Sequence, residues 1–189
     1  AGSGKSRMLH ELRAQVAASE FRILQGRCRS YGGMTSYLPF VEALHTALGV
    51  KELEADKPAV GAAVARIRAI DASLEPLIPL YLHLLSMQSD LFPLPRHLRS
   101  EHLQAAMLDA LAAIFTSYAQ RSPTLLLLED WHWADDASNR ALQHLTEVVA
   151  GSPLLIAVTT RPEPGTLVDA PDPDHAARIN LGPLEFPAS

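Results

Sequence analysis

The stretch TLLLLED, Thr124 to Asp130, decides how the rest of the chain is read. Four leucines in succession break the apolar/polar alternation of a strand with one wet face. A continuous apolar run is how a strand reads when both faces of a parallel sheet are covered. Two acids follow at once, so Glu129 and Asp130 stand at the carboxyl end of that strand. Working outward, DASNRALQHLTEVVAG reads as a helix with Gly151 just past it, and PLLIAVTTR as a second buried strand. Upstream, SEHLQAAMLDALAAIFTSYAQ is the strongest helical pattern, with Ser100 as its N-cap and a stripe of Leu103, Met107, Leu108, Leu111 and Ile114. Strands alternating with helices predict an α/β fold with a mostly parallel sheet.

Composition bounds the class. The chain has 189 residues, 48% hydrophobic and 20% charged, enough for one domain with a sizeable core. A net charge of −5 gives no support to a broad nucleic-acid or anionic-membrane surface. Cys28 is the only cysteine, which rules out an internal disulfide and favours a cytosolic compartment. No apolar run approaches the ~20 residues that a spanning helix needs.

The front of the chain carries the chemistry. AGSGKS, Ala1 to Ser6, ends a G-x-x-x-x-G-K-[ST] phosphate loop with Gly4-Lys5-Ser6, and the opening glycine would fall one position before Ala1. Amides of Gly2, Ser3 and Gly4 at a helix N-terminus would cradle phosphate oxygens. Lys5 would reach the β- and γ-phosphates, and Ser6 would give its hydroxyl to Mg²⁺. A bland Gly-Ser-Lys turn is the competing reading, and TLLLLED weighs against it. A phosphate-loop enzyme needs an acid at the end of a neighbouring buried strand to hold Mg²⁺, and a neighbour to polarise water. Glu129 and Asp130 fit both roles. At the end of the next strand, Thr159, Thr160 and Arg161 are placed to sense a γ-phosphate, with Arg161 stabilising charge.

The remaining segments organise the frame. SRMLHELRAQVAA predicts a helix that starts at the loop. FRILQGRC, Phe21 to Cys28, predicts a strand with Phe21, Ile23 and Gln25 alternating with Arg22 and Leu24. Pro39 opens a helix that Gly49 closes. Residues 51–121 show only helical patterns, an insertion beyond a minimal βα unit; Pro76 and Pro79 blur one boundary within it. ARINLGPL predicts a last strand. His132 lies near Asp135 and Asp136, but zinc-ligand spacing is absent, and Asp135 or Asp136 reads better as a helix N-cap. Trp131 and Trp133 read as packing residues, with contact to the adenine or a neighbouring domain as the alternative, and Cys28 as a small buried apolar one.

LLLLEDWHWADDAS followed by LLIAVTTRPE, with GKSRML upstream and GRCRSYGGMTSYLPF between, resembles the STAND class of AAA+-related P-loop ATPases. The likeness is to the ATPase modules of multidomain bacterial signalling proteins: adenylate/guanylate cyclases, LuxR-type regulators and Ser/Thr kinases. It implies a three-layer P-loop NTPase sandwich with strand order 5-1-4-3-2 and, after residue 189, helical and winged-helix domains. Lys5 and Ser6 match the phosphate-loop Lys and Mg²⁺-binding Ser, Glu129 and Asp130 the acidic pair, and Arg161 the sensor Arg. Glu stands at position 129 where Asp is common, which leaves open which acid touches the metal shell. The first strand of the pattern lies before Ala1, so the chain reads as an N-terminally truncated piece. Loss of so central a strand, at ~1–3 kcal/mol for each polar group left buried, is expected to prevent autonomous folding.

The resemblance implies ATP and Mg²⁺ as cofactors and a cytoplasmic, slowly hydrolysing switch. Its partners would be ATP/ADP and other domains of the same polypeptide, with a nucleotide-dependent oligomer within its range. Direct nucleic-acid or membrane binding by this segment is not expected. The alternative is a non-hydrolysing nucleotide sensor or structural scaffold.

Overall fold

The computed structural model describes residues 5–17, 19–30, 35–50, 57–96, 98, 100–161 and 177–181. Elements follow in the order α1 (Lys5–Ala17), β1 (Arg22–Arg27), α2 (Leu38–Leu48), α3 (Lys57–Ile70), a 3₁₀ helix (Ala72–Leu77), α4 (Ile78–Leu84), α5 (Ser100–Arg121), β2 (Thr124–Glu129), a 3₁₀ turn (Trp131–Trp133), α6 (Asp136–Val148) and β3 (Leu154–Val158). The three strands form one parallel sheet in the order β1-β2-β3, with Leu24 beside Leu126 and Leu126 beside Ile156. That is the run that strands 2, 3 and 4 make in the order 5-1-4-3-2.

The leucine run is buried as its composition demands. All six residues of β2 are buried, and they divide by parity between two cores. Leu125 and Leu127 meet Leu9, Leu12 and Val16 of α1 on one face. Leu126 and Leu128 join the larger core on the other, with Phe40, Phe115 and Leu142. The sheet therefore lies between α1 and the remaining helices, a three-layer arrangement. Among the described residues β3 pairs with β2 alone, and its Leu155 and Val158 are exposed.

Local signals close the helices as expected. Pro39 lies in the first turn of α2, and Gly49 caps its end at φ 58°. Asp135 caps α6, its carboxylate accepting from the Ser138 N–H at 3.0 Å. The apolar stretch around Pro76 and Pro79 divides into the 3₁₀ helix and α4, because proline supplies no N–H to carry one α-helical ladder through. Tyr81 of α4 donates its hydroxyl to the Ala110 carbonyl of α5 at 3.0 Å, which ties this insertion to the long helix.

The structure decides which face of β1 turns inward and corrects one expectation, the last strand. β1 buries Leu24 and Gly26 fully, while Ile23 and Gln25 are half-buried and Phe21 is exposed. The larger core lies on the Leu24 side, so the even-numbered positions go inward. Residues 177–181 of the expected last strand are irregular, and Ile179 is exposed. The rest of ARINLGPL lies outside the described residues.

Cys28 follows β1, buried among apolar neighbours that push its thiol up to about 12, with nearby acids adding to the effect. An unfolded thiol ionises near pH 9. Iodoacetamide at pH 8.5 is therefore expected to label the native protein on the timescale of unfolding, and the urea-unfolded chain within minutes. Equal rates for the two, followed by mass spectrometry, would contradict this burial.

Candidate functional site

The direction of the elements sets the site. α1 ends near residue 17 and β1 begins at Arg22, so α1 runs antiparallel to the strands across the sheet face. Its first residue, Lys5, therefore lies toward the edge where β1 and β2 end. Gly2, Ser3 and Gly4 and the side chain of Ser6 lie outside the described residues.

Glu129 ends β2 on the same parity as Leu125 and Leu127, so it faces α1. It is 6% exposed, one of three buried polar or charged side chains among the described residues. A carboxylate so placed needs partners. Arg13 of α1 donates Nη2 to Oε1. Gln25 donates Nε2 to the same oxygen at 2.5 Å, and Arg27 donates Nη2 to Oε2 at 3.1 Å. Glu129 in turn, by hydrogen bond and charge, holds the Arg27 guanidinium above its ordinary value.

Asp130 leaves the strand differently. Its backbone is left-handed, at φ 56°, a conformation that aspartate tolerates better than most residues. The side chain is about half exposed and lies 3.6 Å from Arg27 Nε. Its N–H donates to Thr159 Oγ1 at 3.3 Å, while the Trp131 N–H donates to the Thr159 carbonyl at 2.8 Å. Thr159 thus staples the end of β3 to the turn that carries the two acids. The indole of Trp131 is buried, edge-on to Phe40 at 6.1 Å, and donates to Asn139 Oδ1 at 2.9 Å. Trp133 is half exposed. Arg161 is exposed and follows β3 by three residues, next to Thr160.

The structure brings Glu129, Asp130 and Thr159 together and places Arg161 after the same strand end. Sequence reasoning missed Arg13, Gln25 and Arg27. The only local trace was the parity of β1, which sets Gln25 and Arg27 on the face of Glu129 across a parallel register.

The chain matches the family model described as AAA ATPase domain over residues 1–157. It belongs to that family, so the sheet and its two helical layers are an α/β fold of the P-loop NTPase kind, in a module of nucleotide-binding, ATPase-related type. An uncharacterized protein of Rhizobium meliloti (strain 1021) is 29% identical over 190 residues, covering 98% of this chain. The chain spans only 18% of that protein's length. No solved structure matches.

The donor set suits a hard cation that keeps water and phosphate among its ligands. Glu129 and Asp130 offer carboxylate oxygens, as Mg²⁺ prefers. Among the described residues no group of three His, Cys, Asp or Glu side chains forms a cage that would hold a metal by protein alone. Nor is any described helix long and apolar enough to cross a membrane.

Proposed function

We propose that this chain is the nucleotide-binding part of a STAND-class ATPase switch within a longer, cytoplasmic bacterial signalling protein. The observation that carries the reading is Glu129: a buried acid at the end of the doubly covered strand, turned toward the helix that Lys5 opens.

In this reading Gly2, Ser3 and Gly4 present amides to the phosphates, and the Lys5 ammonium neutralises the β- and γ-phosphate oxygens. Ser6 and Glu129, with Asp130 nearby, would hold Mg²⁺, which when bound offsets charge on the same phosphates. Asp130, more open than Glu129, orients the attacking water. Arg161 takes up charge that develops on the transferring phosphoryl group. The Arg13 and Arg27 guanidinia already neutralise Glu129, so engagement with a metal requires it to share or exchange these partners. Such an exchange links nucleotide occupancy to α1 and β1, which is what a switch requires.

Lys5→Ala in the full-length protein is expected to abolish Mg·ATP binding, read by calorimetry. Unchanged affinity would remove the assignment. Other domains of the same polypeptide, helical and winged-helix ones after residue 189 among them, are the proposed partners. The small share of the Rhizobium relative that the chain spans supports this.

One observation favours a second reading, a scaffold that senses nucleotide without turnover. Glu129 makes three hydrogen bonds within the protein, as a purely structural carboxylate would. A single-turnover ATP assay on full-length protein separates the two. Product formation supports the ATPase, and bound but unhydrolysed ATP the sensor.

A further inference from the structure

The edge of the sheet opposite Glu129 carries a second cluster of charge. We propose that Arg22, Arg66 and Arg121 form a binding site there for a small oxyanion of two or more negative charges. The proposal is independent of the function proposed above.

The three guanidinium-bearing residues line one cleft of about 310 Å³, with Tyr118 on its wall and Ala69 and Ile70 as apolar lining. They arrive from three elements: the first residue of β1, the last turns of α3, and the end of α5. Arg22 and Arg121 are positioned by neutral groups. The Arg22 guanidinium lies 5.7 Å from the Tyr118 ring centroid, and its Nη1 donates to the Tyr118 hydroxyl at 3.4 Å. Arg121 donates Nη1 to the Ile70 carbonyl at 3.4 Å. The Arg66 guanidinium occupies space that a side chain at Gly49 would need, its Nη1 lying 2.8 Å from where a Cβ would be.

Ion pairs with described carboxylates are made elsewhere, by Arg13, Arg27, Arg29 and Arg68. No described carboxylate pairs with Arg22, Arg66 or Arg121. In a chain with 21 acidic and 16 basic residues, three such cations on one cleft stand against the overall charge. Like charges repel at close quarters, and a bound anion relieves that repulsion. A guanidinium presents five N–H donors in a planar fork that matches phosphate and carboxylate alike. The described hydrogen bonds use one donor each at Arg22 and Arg121, so most remain for a ligand. β1 separates this cleft from the Glu129 end by about 16 Å, so the two sites do not overlap.

The competing account is that the arginines only offset the partial negative charge where α3 and α5 end. Calorimetry with pyrophosphate and with citrate decides. The full-length protein is used with Lys5→Ala as background, to silence phosphate binding at the loop. One anion is expected to bind in that background, more weakly as salt is raised. Adding Arg66→Gln, which removes no described hydrogen bond, is expected to weaken binding at least tenfold, and Arg22→Gln to do the same. Binding of pyrophosphate alone assigns a phosphorylated ligand, and of citrate alone a polycarboxylate. No binding of either anion by the folded background protein, or binding that neither glutamine variant weakens, would overturn the proposal.

Discussion

Gly26→Ala in the full-length protein will destabilise this domain by at least about 2 kcal/mol, read as a shift in its urea midpoint at constant slope. A Cβ at position 26 would sit 1.7 Å from the Pro39 carbonyl oxygen and 2.5 Å from its carbon. Those are backbone atoms in the first turn of α2, so no rotamer change relieves the overlap. Either α2 moves away from β1 or the strand leaves its register with β2. Both open the core around Phe40 and Leu44, which are fully buried. Gly61, exposed on α3 with nothing within 4 Å of its would-be Cβ, supplies the control. There, alanine should stabilise by roughly 0.5–1 kcal/mol, because the unfolded chain loses freedom and no contact is strained. A neutral Gly26→Ala variant would mean that β1 and α2 do not approach as described.

The second large effect belongs to Trp131. Trp131→Ala is expected to cost about 3–5 kcal/mol, the range for emptying a large buried aromatic site. The indole is 1% exposed, packs edge-on against Phe40 and donates its N–H to Asn139. Loss of the ring removes the contact that fastens the turn after β2 to α2 and α6. Asp130 keeps its backbone bond to Thr159 but loses this anchor. Trp133→Ala, two residues on and 48% exposed, should change stability by no more than about 0.5 kcal/mol. Urea unfolding followed by circular dichroism tests both. Similar losses at the two tryptophans would show that the turn is not held by Trp131.

Two tryptophans two residues apart with opposite roles show where sequence reading stops. WHWADD marks a turn and a helix start, and Asp135 caps α6 as its residue type suggests. Nothing local says which indole turns inward. That follows from where Phe40 lies, which is set by α2 packing on β1.

The acid pair divides along the same line. The four-leucine run placed Glu129 and Asp130 at the end of a buried strand, since a strand covered on both faces reads as a continuous apolar run. The parity of the strand then turned Glu129 toward α1. Its partners could not be read, because Gln25 lies 104 residues away and Arg13 lies 116. A helix or strand period reports which face is apolar, and carries no information about which distant charge meets it.

Sequence by itself therefore determined most of the elements, the caps of α2 and α6, the alternation that demands a parallel sheet, and the strand end that bears the acids. Each of these is written in spacing within a few residues. Tertiary structure alone decided the inward face of β1, the glycine that lets α2 approach it, the two arginines that hold Glu129, and the gathering of three others at the far edge. Those depend on packing between elements separated by up to a hundred residues, where volume and charge are matched in space and not along the chain.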